Sequence, residues 1–248
     1  MFYEELDTFY MVDMSGTSEG TQIKYYKDGY WYKQDFYGGE ARAEYLASGI
    51  LSFSDLNEAE YVKYEIGSLN GKTACRSRHF LKEGEEFISL YRYYQTVVGR
   101  KINEDILKYE TPEARADFVL NFFKRTCGID LTDYFSKVFT LDALILNEDR
   151  HFNNLGIIND ADGKYKEAPI FDNGKSLLVG NVSVNRRLPV SENIRRVTAR
   201  PFSGSHKGNR DLFGKGFSLR VDAALQWLDE QEESYEKQVL LHMLAKEK

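Results

Sequence analysis

The sequence predicts an α+β fold in which a small, strand-rich N-terminal lobe precedes a larger and mainly helical C-terminal lobe. Short strand-like segments flank tight-turn residues in the first 81 positions, whereas apolar residues recur at helical intervals further along the chain. Hydrophobic residues make up 42% of the 248 positions, which is enough to bury a substantial core. We therefore expect one unit with two lobes, formed by residues 1–81 and 82–248.

The N-terminal lobe is expected to contain a small antiparallel sheet and one helix. Asp28-Gly29 and Asn70-Gly71 are dipeptides that favour tight hairpin turns, and each lies between two strand-like segments. The predicted elements are strands over 21–26 and 30–34, a helix over 39–51, and strands over 61–66 and 73–80.

The C-terminal lobe is expected to contain a buried helix, a hairpin and two amphipathic helices near the end of the chain. The helix is predicted from apolar residues that recur at helical intervals after Leu131. The predicted elements are a helix over 131–146, strands over 155–158 and 168–171 around a turn at 159–163, an irregular segment over 201–210, and helices over 220–231 and 233–246.

A polar motif follows the buried helix, and a second one follows the hairpin. They read Asn147-Glu148-Asp149-Arg150-His151-Phe152-Asn153-Asn154 and Asp172-Asn173-Gly174. Because a hairpin brings its two open ends together, Asn154 and Asp172 are predicted to share one Mg²⁺, for which amide and carboxylate oxygens are suitable ligands. Asp149 can take the proton from an attacking hydroxyl, as phosphoryl transfer requires. The alternative is that these residues only cap a helix and form a surface turn.

Residues that could hold a nucleotide lie in the N-terminal lobe. The segment from Ser15 to Gly20 is rich in small residues, and the backbone at Gly16 and Gly20 could turn N–H groups toward phosphate oxygens. Lys33 on the second strand is predicted to neutralise the phosphates, with Lys24 as a second candidate.

Two further residues complete the predicted nucleotide site. Glu44, in the middle of the predicted helix, is expected to hold Lys33 in place; the alternative is that both are solvated. Phe80 lies in the segment that leaves the last predicted strand, where the backbone of a kinase hydrogen-bonds the adenine base. Arg150 and His151 are expected to brace the catalytic loop rather than to perform chemistry.

These residues resemble the HipA-type serine/threonine kinases, which include the toxin components of bacterial toxin–antitoxin modules. The resemblance covers roughly residues 15–175 and rests on Gly20-Thr21-Gln22-Ile23-Lys24, Lys33, Glu44, the motif over 147–154, and Ile170-Phe171-Asp172-Asn173-Gly174. It implies a bilobed protein-kinase-like fold, use of ATP with Mg²⁺, and transfer of the γ-phosphate to a serine or threonine of a protein substrate.

The resemblance also implies regulation and a partner. Members of the family phosphorylate a serine in the Gly-rich loop, which silences them, so that Ser15, Thr17 and Ser18 become candidate regulatory sites. The familiar toxins carry an extra N-terminal subdomain that helps to dock an antitoxin, whereas here the loop begins within about fifteen residues of Met1. A separately encoded antitoxin or regulatory partner could take the place of that subdomain.

Two other functions are compatible with the motifs. Phosphoinositide kinases share the pattern D-R-H-x-x-N followed by Asp-x-Gly, which leaves a lipid kinase as an alternative. The second alternative function is that of a pseudokinase, which only binds a partner. The combined presence of Lys33, Asp149, Asn154 and Asp172 argues against it, because a binding module does not need all four.

Composition limits the setting in which this chemistry is expected. The acidic start of the chain lacks the basic and apolar regions of a signal peptide, and no apolar run approaches the length of a membrane span. Cys75 and Cys127 are too few and too far apart to indicate a disulfide framework, which favours reduced thiols in a cytoplasmic protein.

Charge is distributed unevenly along the chain. Residues 181–220 carry nine Lys/Arg against two acidic residues, a net charge of +7, although the whole chain has a net charge of −6. This basic segment could bind nucleotide phosphates, an acidic partner or nucleic acid; the alternative is a solvated loop paired with the acidic remainder.

Overall fold

The computed structural model describes residues 1–12 and 23–247. Two β-sheets and a set of helices form the fold, which confirms the predicted α+β class. The strands are β1 (Phe2–Glu4), β2 (Lys24–Lys27), β3 (Tyr30–Gln34), β4 (Tyr64–Leu69), β5 (Lys72–Arg78), β6 (Glu86–Ser89), β7 (Gly156–Asn159) and β8 (Tyr165–Glu167). The helices are α1 (Glu40–Leu51), α2 (Leu90–Val98), α3 (Ile102–Ile106), α4 (Pro112–Thr126), α5 (Thr132–Ile145), α6 (Val190–Asn193), α7 (His206–Phe213), α8 (Val221–Asp229) and α9 (Tyr235–Leu244).

The first sheet has the strand order β1-β4-β5-β3-β2, with β1 parallel to β4 and the other neighbours antiparallel. Positive φ angles at Asp28 (50°) and Gly29 (78°) produce the tight turn between β2 and β3. The resulting register places Lys24 opposite Lys33, and Lys33 opposite Cys75 on β5. Two cationic side chains therefore lie on neighbouring strands at one level of the sheet.

Helix α1 packs against this sheet, and its position is fixed at both ends. The Asp35 carboxylate accepts hydrogen bonds from the backbone N–H groups of Gly39 (2.9 Å) and Ala41 (2.7 Å), which caps the first turn. Further along the helix, the Trp227 ring of α8 lies against Gly49, where an added Cβ would come within 2.2 Å of the ring. The glycine thus permits close contact between α1 and α8.

The second sheet, in the order β6-β7-β8, contains the hairpin that was predicted around residues 159–163. The second strand was placed too late: it is Tyr165–Glu167, not residues 168–171. Ile170 leaves the hairpin and pairs instead with the N-terminal lobe, where its N–H bonds Glu60 O (2.8 Å) and its carbonyl accepts from Val62 N (2.8 Å). This pairing fixes the chain two residues before Asp172.

Helix α5 is the centre of the C-terminal lobe and is buried on most of its surface. It ends at Leu146, whose φ of 56° turns the chain out of the helix and into the 147–154 motif. Helix α7 packs across α5, although residues 201–210 were predicted to be irregular. Ser205 caps α7 by accepting a hydrogen bond from Gly208 N (3.0 Å), so the irregular segment ends at Ser205.

Several elements were not assigned from the sequence, namely β1, β6, α2, α3, α4 and α6. In the ranges 1–12 and 23–247, no helix combines the length and apolar character that crossing a bilayer requires.

Candidate active site

Lys33 lies at the centre of a buried charge cluster between the two lobes. Its ammonium group is 2.7 Å from Glu44 Oε1 on α1 and 3.0 Å from Asp172 Oδ1 in the segment after the hairpin. The side chain of Lys33 is 10% exposed and that of Glu44 is 1% exposed, so both charges are largely removed from water. The structure thus brings Asp172 next to Lys33, which lies 139 positions earlier in the sequence, and all three residues were selected from the sequence for the candidate site.

The electrostatics of this cluster favour a charged lysine and a charged aspartate. Burial alone would lower the pKa of Lys33, but the carboxylates of Asp172 and Glu44 outweigh it and raise that pKa well above its usual range. Burial opposes ionisation of Asp172, yet Lys33 and Lys24 hold its pKa well below the usual value for aspartate. Burial raises the pKa of Glu44, against the opposing effect of Lys33. Two carboxylates therefore share one ammonium group, and Asp172 keeps its negative charge.

Glu44 also fixes the Asp172-Asn173-Gly174 segment. Its second carboxylate oxygen, Oε2, accepts a hydrogen bond from the backbone N–H of Asn173 (2.8 Å). Asp172 itself has a φ of 60°, a left-handed conformation that is uncommon outside glycine and asparagine or aspartate. One glutamate thereby positions both Lys33 and the turn that presents Asp172.

Arg150 connects this segment to the 147–154 motif, and it is fully buried. Its guanidinium group forms a bidentate ion pair with Asp142 of α5, in which Nε donates to Oδ2 and Nη2 donates to Oδ1, both at 3.0 Å. The same group donates to the carbonyl oxygens of Phe171 (2.6 Å) and Asn154 (3.3 Å) and to Asn173 Oδ1 (2.7 Å). A single side chain therefore ties the backbone beside Asp172 to the backbone of Asn154, which is the bracing role expected for it.

The loop that carries Asp149 is closed by its own hydrogen bonds. Asn147 Oδ1 accepts from Asp149 N (3.0 Å), and Asn154 Nδ2 donates to the carbonyl of Asp149 (3.0 Å). The Asp149 side chain is 41% exposed and faces solvent, with Arg200 Nη1 and His151 Nε2 each 3.9 Å from its carboxylate. Asp149 is thus held at its backbone while its carboxylate stays accessible.

The donor set fits a hard divalent cation. Asn154 uses its amide nitrogen to hold the loop, which leaves its amide oxygen as an acceptor. The Asp172 carboxylate accepts from Lys33 through Oδ1. An amide oxygen and a carboxylate oxygen are ligands that Mg²⁺ accepts when nucleotide phosphates and water complete the shell. The described part of the chain has no group of three or more His, Cys, Asp or Glu side chains that could hold a metal ion. The fit therefore depends on Asn154 and Asp172 together with the nucleotide.

The remaining predicted residues are distributed as follows. Lys24 is half-buried next to Lys33, and burial lowers its pKa, with Asp172 acting in the opposite direction. Phe80 follows β5, and its ring lies 6.1 Å from that of Phe171, immediately before Asp172. Ser15, Gly16, Thr17, Ser18 and Gly20 lie outside the described residues.

The sequence analysis missed three residues of this region. Asp142 is the partner of Arg150, and a carboxylate within the mostly apolar stretch 138–146 was the available signal. Tyr64 lies under the cluster, with its ring centroid 5.3 Å from Lys33 Nζ. Arg200 had been noted only as part of the basic segment, and no local pattern in the sequence relates it to Asp149.

No family model matches the chain, and no curated protein matches its sequence. Solved structures do match. The chain resembles the Helicobacter pylori proinflammatory kinase CtkA with a TM-score of 0.64 and 18% identity, over 95% of this chain and 90% of that one. It also resembles the toxin HipA of Shewanella oneidensis MR-1, from a toxin–antitoxin system solved with HipB and operator DNA, with a TM-score of 0.50 and 9% identity, over 97% of this chain and 66% of that one. The chain therefore shares the fold of these two structures, which confirms the resemblance noted in the sequence at the level of the fold.

Proposed function

We propose that this protein is a protein kinase that uses ATP and Mg²⁺ to phosphorylate a serine or threonine hydroxyl of a protein substrate. The observation that carries the proposal is that buried side chains connect two half-sites: the Lys33–Asp172 cluster and the loop of Asp149 and Asn154. Glu44 joins Lys33 to the Asp172 turn, and Arg150 joins that turn to the loop of Asp149 and Asn154. The fold shared with two kinases supports the same activity.

Each residue has a distinct task in this reaction. The Lys33 ammonium would neutralise phosphate oxygens of the nucleotide. Asn154 and Asp172 would bind Mg²⁺, which would supply additional positive charge to the phosphates. Asp149 accepts the proton of the acceptor hydroxyl as the oxygen–phosphorus bond forms. The bond between the γ-phosphorus and the bridging oxygen breaks, and ADP departs with that oxygen.

Regulation, partners and location extend the proposal. By the family resemblance, phosphorylation at Ser15, Thr17 or Ser18 would inactivate the enzyme, and a small separately encoded protein would act as its antitoxin, as HipB accompanies the Shewanella HipA. The protein would act in the cytoplasm.

If it is a toxin, expression should arrest growth only while Asp149 is intact. Growth arrest by the Asp149→Asn variant as well would instead favour a binding module.

Nucleotide binding provides the first experimental test. Purified protein should incorporate labelled γ-phosphate into itself or a lysate protein in the presence of Mg²⁺, and chelation should stop this. Calorimetry should show that Asp172→Asn weakens Mg-ATP binding at least tenfold, because the substitution removes the charged metal ligand. The matched control is Asp117→Asn, on an exposed position of α4. Unchanged Mg-ATP affinity in Asp172→Asn would exclude Asp172 from the metal site.

A further inference from the structure

An open cavity of about 390 Å³ lies beside Asp149. Its lining comes from the 147–154 motif, from the segment after Asp172 and from the basic segment 181–220. The members that matter here are Asp149, Lys175, Val182, Arg196 and Arg200. The basic segment thus contributes one wall of the space into which the Asp149 carboxylate projects.

Glu148 holds the walls of this cavity together. Its Oε2 accepts from Asn181 Nδ2 (2.7 Å) and its Oε1 accepts from the backbone N–H of Thr198 (3.0 Å). Its own N–H donates to the carbonyl of Lys175 (3.2 Å). Because both carboxylate oxygens are used in this way, Glu148 is a structural part of the wall, although it is one of two acidic residues among the described residues of the lining.

The cavity has an excess of positive charge. Lys175, Arg196 and Arg200 face it, against Asp149 and the hydrogen-bonded Glu148. Arg200 is 60% exposed, and the only carboxylate within 4.0 Å of it among the described residues is that of Asp149, at 3.9 Å. Arg196 donates to the carbonyl of Ser183 (2.7 Å) and pairs with no carboxylate within the described part of the chain. Guanidinium groups in such positions are suited to bidentate contacts with incoming carboxylates.

We propose that this cavity is the acceptor site and that it selects serine or threonine hydroxyls flanked by acidic side chains. The inference rests on the proposed kinase function, because it takes Asp149 to be the residue that meets the hydroxyl. Acidic residues on either side of the acceptor would pair with Arg196 and Arg200. Pairing would also draw Arg200 away from the Asp149 carboxylate, which is then available for the proton.

A peptide fits the lining better than other anionic acceptors. Val182 is 99% exposed at the cavity, where its apolar side chain can contact an extended peptide. Among the residues that the structure describes, the lining contains no aromatic ring on which a nucleic-acid base could stack. One valine also provides little of the apolar surface by which a protein rests on a membrane.

The test compares two peptides on the full-length protein with Mg-ATP. Both have the same central serine and differ only in whether the flanking residues are glutamate or lysine. The readout is the ratio of kcat/KM for the acidic peptide to that for the basic peptide, which does not depend on the active fraction of each preparation. We expect a ratio above about ten for the natural protein, because two charged contacts are gained or lost at the rim. The Arg196→Glu/Arg200→Glu variant should lower the ratio at least tenfold or invert it.

The matched control is Arg187→Glu/Arg195→Glu, which removes the same charge from exposed positions of the same segment that do not line the cavity. It should keep the ratio of the natural protein. An equal change in both double variants, a natural ratio near or below one, or phosphate transfer to phosphoinositide vesicles in place of peptides would overturn the inference. If the protein labels itself in an Asp149-dependent manner but phosphorylates neither peptide, the inference fails while the kinase assignment stands. If it neither binds Mg-ATP nor labels anything, both fail.

Discussion

At the scale of single residues, the candidate site depends on buried charges that neutralise one another. Lys33 balances two carboxylates, and Arg150 balances Asp142 while donating to three other oxygen atoms. Removing one member of such a set leaves its partners buried and unpaired, which costs more than the pair itself contributes. Substitution of either residue should therefore lower stability, and substitution of Lys33 should in addition weaken nucleotide binding.

Lys33→Met should weaken binding of Mg-ATP at least tenfold, because the substitution removes the cation that is closest to Asp172 and is proposed to meet the phosphates. Calorimetric titration with Mg-ATP measures this directly. The control is Lys72→Met on β5, whose side chain is exposed. Equal affinities for the Lys33 and Lys72 variants would contradict the assigned role.

Arg150→Met should reduce the free energy of unfolding by about 3–5 kcal/mol, since Asp142 and two carbonyl groups would be left buried without their donor. Urea denaturation provides the measurement. Arg125→Met, on an exposed position of α4, should change the stability by no more than about 0.5 kcal/mol. A similarly small loss for Arg150→Met would show that the guanidinium is not required to hold the two half-sites together.

At the scale of secondary-structure elements, α1 is the part that aligns the two lobes. It carries Glu44 on the side of the sheet and touches α8 through Gly49. A displacement of α1 would therefore move Glu44 relative to both Lys33 and Asn173.

Gly49→Ala tests this contact. Alanine favours helix formation, yet its Cβ would lie 2.2 Å from the Trp227 ring, so we expect a loss of about 1–3 kcal/mol from overpacking. Urea denaturation of Gly49→Ala, Trp227→Leu and the double variant completes a mutant cycle. The double variant should lose less than the sum of the two single losses, because leucine removes the atoms that clash. Additive losses would indicate that the helices do not meet at this point.

The elements also show what the sequence could and could not predict. Strands β2, β3, β4 and β5 and helices α1 and α5 were predicted within a few residues, because turn dipeptides and long apolar periods specify them locally. The second hairpin strand was misplaced because the apolar run over 168–171 was taken for a strand of the hairpin. In the structure, Ile170 of this run pairs with Tyr61 of the other lobe instead. Local patterns do not identify a partner more than a hundred residues away in sequence. The same limitation explains why Arg200 was not connected with Asp149.

At the scale of the whole molecule, folding stability should depend on pH through a buried histidine. His206 on α7 is 8% exposed, and its Nε2 has no hydrogen-bond partner among the described residues. Burial lowers the pKa of His206, with Asp142 opposing this only in part. The unfolded chain therefore binds a proton at a higher pH than the folded protein does.

It follows that the free energy of unfolding should fall as the pH decreases below about 6.5, by at most about 1.4 kcal/mol per pH unit from this group. Stability is retained above the unfolded pKa, and the loss is complete once the pH is below the lowered folded pKa. Urea denaturation between pH 5 and 8 measures the slope, and His206→Met should flatten it. A slope that is the same in the natural protein and in His206→Met would contradict this origin.

The central claim is that Asp149 takes the proton of an acceptor hydroxyl while Mg-ATP is held by other residues. Single-turnover transfer of labelled γ-phosphate, measured together with Mg-ATP affinity, tests it most directly. Asp149→Asn preserves the size of the side chain and the loop hydrogen bonds made by its backbone, and Asp162→Asn in the exposed hairpin turn is the control. We predict that Asp149→Asn still binds Mg-ATP but transfers phosphate at least 100-fold more slowly, with Asp162→Asn matching the natural protein. A transfer rate for Asp149→Asn within about threefold of the natural rate would contradict the account, since general-base catalysis is worth at least about a hundredfold.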